Sequence, residues 1–78
     1  MKRFEYKYLE LHMSITRGSQ LFDLEDETTI PIGDFSDYGP GLVRHFNLLG
    51  REGWELVGYA VGEKNVFEYC FKRELPAQ

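Results

Sequence analysis

The sequence predicts an α+β fold in which one helix packs on one face of an antiparallel sheet. The predicted order is β-α-β-β, with an extra loop or hairpin inserted after the first strand. Leu42, Phe46 and Leu49 recur at the spacing of one helix face, while residues 54–61 and 66–73 alternate as two strands around a short turn. Because the helix must bury its apolar stripe, it is expected to lie against the sheet.

Both ends of this helix carry recognisable signals. Ser36 or Asp37 can cap the free amides at its start, and Pro40 fits the first turn, where its missing N–H would have no intrahelical partner. Gly53 can adopt the left-handed conformation that ends a helix, so that Trp54 packs back on the last turn in a Schellman motif. Trp54 is then also the first residue of the next strand.

The first strand, residues 3–16, has apolar side chains on both faces. One face carries Phe4, Tyr6 and Tyr8, and the other carries Leu9, Leu11, Met13 and Ile15. Either a bulge near Tyr8 and Leu9 changes the register, or the strand serves two cores, and two cores would require a partner subunit.

The insert, residues 14–36, is the least readable part of the chain. Residues 21–24 could form a short strand and residues 28–32 an edge strand, with an acidic turn between them. A hairpin fits as well as an ordered loop. The acidic run is interpreted as a solvated turn, because it lacks the glycine and the terminal bidentate glutamate of an EF-hand loop.

The strand that follows the helix predicts a surface for self-association. Alternation places Val57, Tyr59 and Val61 opposite the small residues Gly58 and Ala60, which would let the helix approach the sheet closely. One helix can cover only one face, so the other face is expected to meet a partner or a ligand. The residues predicted to form this interface are Leu9, Leu11, Met13, Val57, Tyr59 and Val61.

Length and cysteine content also favour an oligomer. The 78 residues are expected to form one domain, residues 1–78, with a small core that needs a disulfide, a metal or a partner subunit for stability. The single cysteine, Cys70, excludes an internal disulfide. Its spacing from His12 and His45 matches no usual zinc site, so no metal and no cofactor is predicted. We therefore expect at least a dimer.

Charge and hydropathy narrow the other partners. The formal net charge of −4 opposes binding to duplex nucleic acid. No apolar run approaches the length that spans a bilayer, and no signal-peptide pattern follows Met1, so a cytoplasmic location without membrane contact is expected. A second copy of the chain, a small anionic ligand or another protein remain as partners.

The glycine-rich start of the helix is the predicted ligand site. Free amides at a helix N-terminus can hold an anion, and neighbouring arginine and aromatic side chains could clamp a small nucleotide. The pattern lacks the Gly-Lys-Ser/Thr ending of a P-loop, so a plain loop-to-helix turn is the competing interpretation. The residues predicted to bind the ligand are Tyr38, Gly39, Gly41, Arg44 and Arg51.

Three residues could carry acid–base chemistry: His45, Glu52 and Glu55. The two glutamates flank the helix–strand joint and are interpreted as fixing it by a salt bridge or hydrogen bonds, because no substrate cleft is visible in the sequence. His45 is interpreted as a partly buried structural residue. No catalytic residue is assigned.

Three segments together resemble a known family. Residues 49–57 read L-G-R-E-G-W-E-L-V, residues 4–7 read F-E-Y-K, and residues 71–73 read F-K-R. They resemble domain-of-unknown-function family 4177, which comprises short bacterial and phage proteins. The resemblance covers residues 3–13 and 37–73 and implies a small stand-alone β-α-β-β domain without assigned catalytic residues. The acidic insert departs from the family pattern.

These observations favour a small, non-enzymatic, homo-oligomeric binding protein. In this hypothesis it is a phage or mobile-element factor that sequesters a small nucleotide-like ligand or inhibits a host protein. One alternative is a small hydrolase or isomerase that uses Glu52, Glu55 or His45, and another is a structural assembly module.

Overall fold

In a computed structural model, the described residues are 1–14, 16–33, 37–64 and 66–76. Within them, five strands form one antiparallel sheet with the strand order β3-β2-β1-β5-β4, and one helix packs on one face of it. The elements are β1 (Phe4–Ser14), β2 (Gly18–Asp23), β3 (Thr28–Gly33), α1 (Gly39–Arg51), β4 (Glu55–Val61) and β5 (Val66–Glu74). The α+β class is confirmed. The order is β-β-β-α-β-β and not the predicted β-α-β-β, because the insert is a hairpin that adds two strands to the sheet.

The central strand, β1, keeps one register along its whole length. Leu9 pairs with both Asp23 of β2 and Tyr69 of β5, and neither ladder shifts along β1. The predicted bulge near Tyr8 and Leu9 is therefore wrong. The face of β1 that lies towards the helix carries Lys7 as well as Leu9 and Leu11. The buried positions on this face therefore begin at a charged residue, before the apolar ones.

The helix ends as the sequence predicts but begins differently. The backbone N–H of Gly53 donates to the carbonyl of Gly50 at 3.0 Å, and that of Trp54 donates to Leu49 at 2.9 Å. Gly53 has φ +91°, so these bonds form a Schellman motif. At the start, Tyr38 is the N-cap and makes no side-chain capping bond, so Asp37 is not the cap. The other predicted cap, Ser36, lies outside the described residues.

The core lies between α1 and the sheet. Phe46 of α1 packs edge-on against the rings of Tyr69 and Phe71, with ring centroids 5.0 and 5.3 Å apart. Gly41 lets the helix approach β3, because a Cβ at this position would lie 2.1 Å from the carbonyl oxygen of Ile32. The buried apolar residues are Leu9, Leu11, Leu21, Ile32, Leu49, Trp54, Tyr69 and Phe71.

A bulge in β4 changes which of its residues face the helix. The register shifts between Leu56 and Gly58, so that Leu56 pairs with Phe71 and Tyr59 with Tyr69, both of which contact the helix. Tyr59 and Val61 therefore lie on the helix side, and Gly58 and Ala60 lie on the open side, contrary to the simple alternation. The open face of the sheet carries Phe4, Tyr6, Tyr8, Phe22, Cys70, Gly58 and Ala60.

Among the described residues, no helix combines the length and the apolar character needed to cross a membrane.

Candidate functional site

The residues predicted to bind a ligand at the helix start do not form one site. Gly41 is packed against the backbone of Ile32, and Tyr38 packs against the core. Arg44 and Arg51 are exposed. Arg51 lies twelve residues after Gly39, which is about 18 Å along the helix axis. One small ligand at the first amides could not contact Arg51.

The predicted interface residues are divided between the core and the surface. Leu9 and Leu11 are fully buried under the helix, so they are not surface residues, and Met13 packs against the same core. Val57, Tyr59 and Val61 are exposed and lie together on β4. Only these three of the six residues are exposed.

A polar cleft of about 400 Å³ opens at the other end of the helix. It lies between the second half of α1, the turn that joins β2 to β3, and the ends of β1 and β5. Its charged and titratable lining includes Lys7, Asp23, Asp26, His45, Glu52 and Arg73. The sequence pattern pointed to His45 and Glu52, whereas Lys7 and Arg73 were not expected to take part in a site.

The floor of the cleft is an ion pair between Lys7 and Asp23. Nζ of Lys7 donates to Oδ2 of Asp23 at 2.7 Å, and the two side chains are only 10% and 7% exposed. The other carboxylate oxygen, Oδ1, accepts the backbone N–H groups of Glu25 and Asp26 at 3.1 and 3.3 Å. Asp23 therefore joins β1 to the turn between β2 and β3.

The ion pair keeps both partners charged. Burial alone would lower the pKa of Lys7 and raise that of Asp23, because it disfavours the charged forms. For both residues, the hydrogen bond and the attraction between the two charges outweigh the effect of burial. For Asp23, the backbone N–H groups of Glu25 and Asp26 also favour the charged carboxylate. The net effect is that the pKa of Lys7 is raised and that of Asp23 is lowered.

Arg73 forms one wall of the cleft and ties three elements together. Its Nε donates to Oε1 of Glu5 at 2.6 Å, a second guanidinium nitrogen contacts the same carboxylate, and Nη1 donates to the backbone oxygen of Glu52 at 3.1 Å. The guanidinium carbon lies 4.3 Å from the centre of a Trp54 ring. Arg73 thus fixes the helix–strand joint through the backbone of Glu52 and not through its carboxylate.

His45 is one of the residues that line the cleft, and one of its ring nitrogens is buried. Among the described residues, its Nε2 is a buried side-chain atom without a hydrogen bond. Burial lowers the pKa of His45, the attraction of Asp23 and Glu52 partly opposes this, and Lys7 adds to the lowering. The imidazole is therefore neutral at pH 7 and has one ring nitrogen that accepts a hydrogen bond.

The three residues of the catalytic alternative are not assembled together. His45 and Glu52 line the same cleft. Glu55 pairs in register with Lys72, whose ammonium lies 4.7 Å from the ring centre of Phe4 on the open face. Glu55 and the His45–Glu52 pair thus lie on opposite sides of the sheet.

A sequence signal for the cleft exists, but it is weak. Lys7 alternates onto the same strand face as Leu9 and Leu11, and Asp23 onto the same strand face as Leu21, and these faces are buried. Opposite charges on the buried faces of two strands indicate an ion pair only when the two strands are known to be neighbours in the sheet. The sequence did not show that β2 pairs with β1.

Comparison of the chain with protein-family models, with curated proteins and with solved structures finds no match. The fold and its surfaces define a small α+β protein with a polar cleft and an exposed apolar strand edge. The resemblance to domain-of-unknown-function family 4177 stays a prediction.

Proposed function

We propose that this chain is a non-enzymatic binding protein that acts as a homo-oligomer, with β4 as the contact between subunits. The observation that carries the proposal is the free edge of β4, which pairs with β5 on one side only. Its side chains remain apolar and exposed: Tyr59 is 59% and Val61 64% exposed. An exposed edge strand offers unpaired backbone groups to another strand.

The two edges of the sheet differ in how they are protected. The opposite edge, β3, contains Pro31, which lacks a backbone donor. In β4, Glu55 at the first position is the only charged residue, and the bulge after Leu56 is the only irregularity. Soluble proteins usually place charges or prolines on free edges. The uncharged run of β4 therefore supports pairing with a second strand.

The charges of β4 are compatible with pairing to a second copy of the same strand. In antiparallel pairing about a two-fold axis near Gly58, Glu55 would lie opposite Val61 of the other strand and not opposite its own copy. No like charges would face each other within β4. Two sheets would then join into one continuous sheet, and each copy of Tyr59 would be partly covered.

The open face of the sheet is less suited to self-association. Glu10 and Glu68 lie directly opposite each other on neighbouring strands of this face. Packing two such faces together would bring four carboxylates out of water, and Lys72, whose ammonium lies over Phe4 on this face, could offset only part of that cost. Despite its aromatic residues Phe4, Tyr6 and Tyr8, this face is a poor match for its own copy.

Two modes of binding fit this proposal: sequestration of a small ligand, and inhibition of another protein. The polar cleft at the end of α1 favours a small ligand. A phage or mobile-element context rests on the family resemblance alone. The hydrolase or isomerase alternative gains no support, since Glu55 lies away from His45 and Glu52.

The test is the molar mass in solution, measured by light scattering after gel filtration at micromolar concentration. The wild-type chain is expected to elute as a dimer or a larger species, and Val61→Lys as a monomer, because a charge on the edge opposes strand pairing. Leu48→Lys is the matched control: it places the same charge on an exposed apolar position of α1. A monomeric wild type would contradict the proposal.

A further inference from the structure

We infer that the helix side of β4 and β5 is the docking site for an amphipathic helix of a partner protein, a helix whose apolar stripe is flanked by acidic residues. We call this site the β4 shelf: it comprises Leu56, Tyr59 and Val61 of β4 and Phe67 of β5. The site deepens the proposed function, on which it rests, by naming the partner of a chain that binds another protein.

The sheet is wide enough for two helices, whereas the described residues form one. Four intervals of about 4.8 Å separate β3 from β4, which gives a width of about 19 Å, and two packed helices lie about 8–10 Å apart. The single helix α1 takes the β3 side, where Gly41 meets the backbone of Ile32. Its Phe46 packs on Tyr69 and Phe71 of β5, so the free width lies over β4.

The β4 shelf is apolar, aromatic and exposed. Leu56, Tyr59 and Val61 are 45%, 59% and 64% exposed, although they lie on the same side of the sheet as α1. Val61 pairs in register with Phe67, and the ring of Phe67 stacks on that of Tyr59 with centroids 6.5 Å apart. Tyr59 also lies 5.6 Å from the buried ring of Tyr69, so the shelf adjoins the core. Exposed surface of this kind marks interaction sites, and tyrosine is frequent at their centres.

A second copy of the chain has no free helix for this space. The apolar stripe of α1, which contains Leu42, Phe46 and Leu49, is already packed against its own sheet. The occupant is therefore a helix of another protein. Its apolar stripe would cover the β4 shelf as the stripe of α1 covers the rest of this face.

The charge of α1 determines the charge of the partner helix. Residues Gly39–Arg51 include Arg44 and Arg51, which are both exposed, and no aspartate or glutamate. A helix packed about 8–10 Å from the axis of α1 would lie close to these cations. Carboxylates beside its apolar stripe would be attracted there, and lysines would be repelled. The net charge of −4 comes from acidic residues outside α1, so this attraction is local.

The test uses two synthetic helical peptides that share one leucine stripe. One carries glutamate beside the stripe and the other carries lysine at the same positions, and both carry a fluorescent label for anisotropy titrations with the wild-type chain. Saturable binding is expected for the glutamate peptide, and binding at least roughly tenfold weaker for the lysine peptide. In ¹H–¹⁵N spectra, the amide signals of Tyr59 and Val61 are expected to shift during the titration.

Substitutions on the two faces of the sheet locate the site. Tyr59→Gln should weaken binding of the glutamate peptide roughly tenfold or more, and Leu56→Gln should weaken it in the same direction. Tyr6→Gln is the matched control, because Tyr6 is 62% exposed and lies on the open face. It should change the affinity by no more than about twofold.

A second pair of variants tests the charge of α1. Arg44→Gln combined with Arg51→Gln should abolish the preference for the glutamate peptide over the lysine peptide. Lys2→Gln combined with Arg17→Gln makes the same change in net charge at exposed positions outside α1, and should retain the preference.

Four results would overturn the inference. These are no saturable binding of the glutamate peptide, tighter binding of the lysine peptide, equal losses in Tyr59→Gln and Tyr6→Gln, and equal effects of the two double variants. If no peptide binds and Leu56→Gln alone turns a dimer into a monomer, a second copy covers the shelf instead. Failure of the homo-oligomer would appear in the molar mass of the peptide-free wild type, so the two failures are distinguishable.

Discussion

At the residue scale, the ion pair between Lys7 and Asp23 is the least expected feature of the molecule. Both side chains are largely buried and lie beside the apolar core, where an unpaired charge would be strongly destabilising. Their hydrogen bond and the turn amides that bind Asp23 satisfy the carboxylate. The pair therefore holds the turn between β2 and β3 against β1.

Asp23→Ala is expected to destabilise the fold by about 3 kcal/mol at pH 7, because it leaves the buried ammonium of Lys7 with only the more distant, exposed carboxylate of Asp26 as a partner. The measurement is urea denaturation of the variant and the wild type. The double variant Lys7→Met with Asp23→Leu removes both charges and should recover most of this loss. A double variant as unstable as the single one would show that the pair itself, and not an unpaired charge, is responsible.

The pH dependence of the stability difference between the wild type and Asp23→Ala tests whether the charge of Asp23 is responsible. The folded state lowers the pKa of Asp23, so its contribution to stability is present above the unfolded value of about 3.9 and is lost as the pH falls through the folded value. The gap between wild type and Asp23→Ala should therefore narrow on acidification below about pH 4. A gap that stays constant down to the lowest pH would contradict this account.

At the element scale, the position of α1 depends on how closely it approaches β3. The carbonyl of Ile32 occupies the space that a Cβ at Gly41 would need. The same helix has a second glycine, Gly50, with no atom within 4 Å of the corresponding position. These two glycines separate the effect of close packing from the effect of helix propensity.

Gly41→Ala is expected to destabilise the protein by about 1–3 kcal/mol, because α1 must move away from β3 to admit the methyl group. Gly50→Ala should stabilise it by about 0.5–1 kcal/mol, since alanine loses less backbone entropy in a helix. Thermal and urea unfolding of both variants would check this. Equal effects of the two substitutions would mean that the contact with Ile32 does not position the helix.

At the scale of the whole molecule, the main issue is how so small a chain reaches a stable fold. A chain of 78 residues buries a modest share of its surface, and the buried apolar cluster among the described residues is correspondingly small. Extension of the sheet through β4 would add buried area from Tyr59 and Val61. Folding and association would then be linked, because the partner binds only the folded state.

The melting temperature of the wild-type chain is therefore expected to rise with protein concentration, while that of Val61→Lys should not change. Differential scanning calorimetry over roughly a hundredfold concentration range tests this linkage. Leu48→Lys should behave like the wild type. A melting temperature independent of concentration in the wild type would place the stability within a single subunit.

Local chemistry along the chain was sufficient to predict several elements. The apolar stripe of Leu42, Phe46 and Leu49, the helix end at Gly53, and the hairpin that follows were all predictable, because each depends on residues close together in sequence. For the insert, the sequence did not distinguish an ordered loop from a hairpin. Its turn signal was clear, but its strands are short and one ends at a bulge.

Which strand residues face the helix, and which residues line the cleft, depend on pairing between segments that are distant in sequence. The bulge after Leu56 reversed the expected faces of Tyr59 and Val61, and one residue of slip is enough to do so. Lys7 lies on the buried face of β1, and its hydrogen-bond partner Asp23 comes from the neighbouring strand β2. Which strands are neighbours depends on contacts far apart in sequence, so the tertiary structure alone brought Lys7, Asp23, His45 and Arg73 to one cleft.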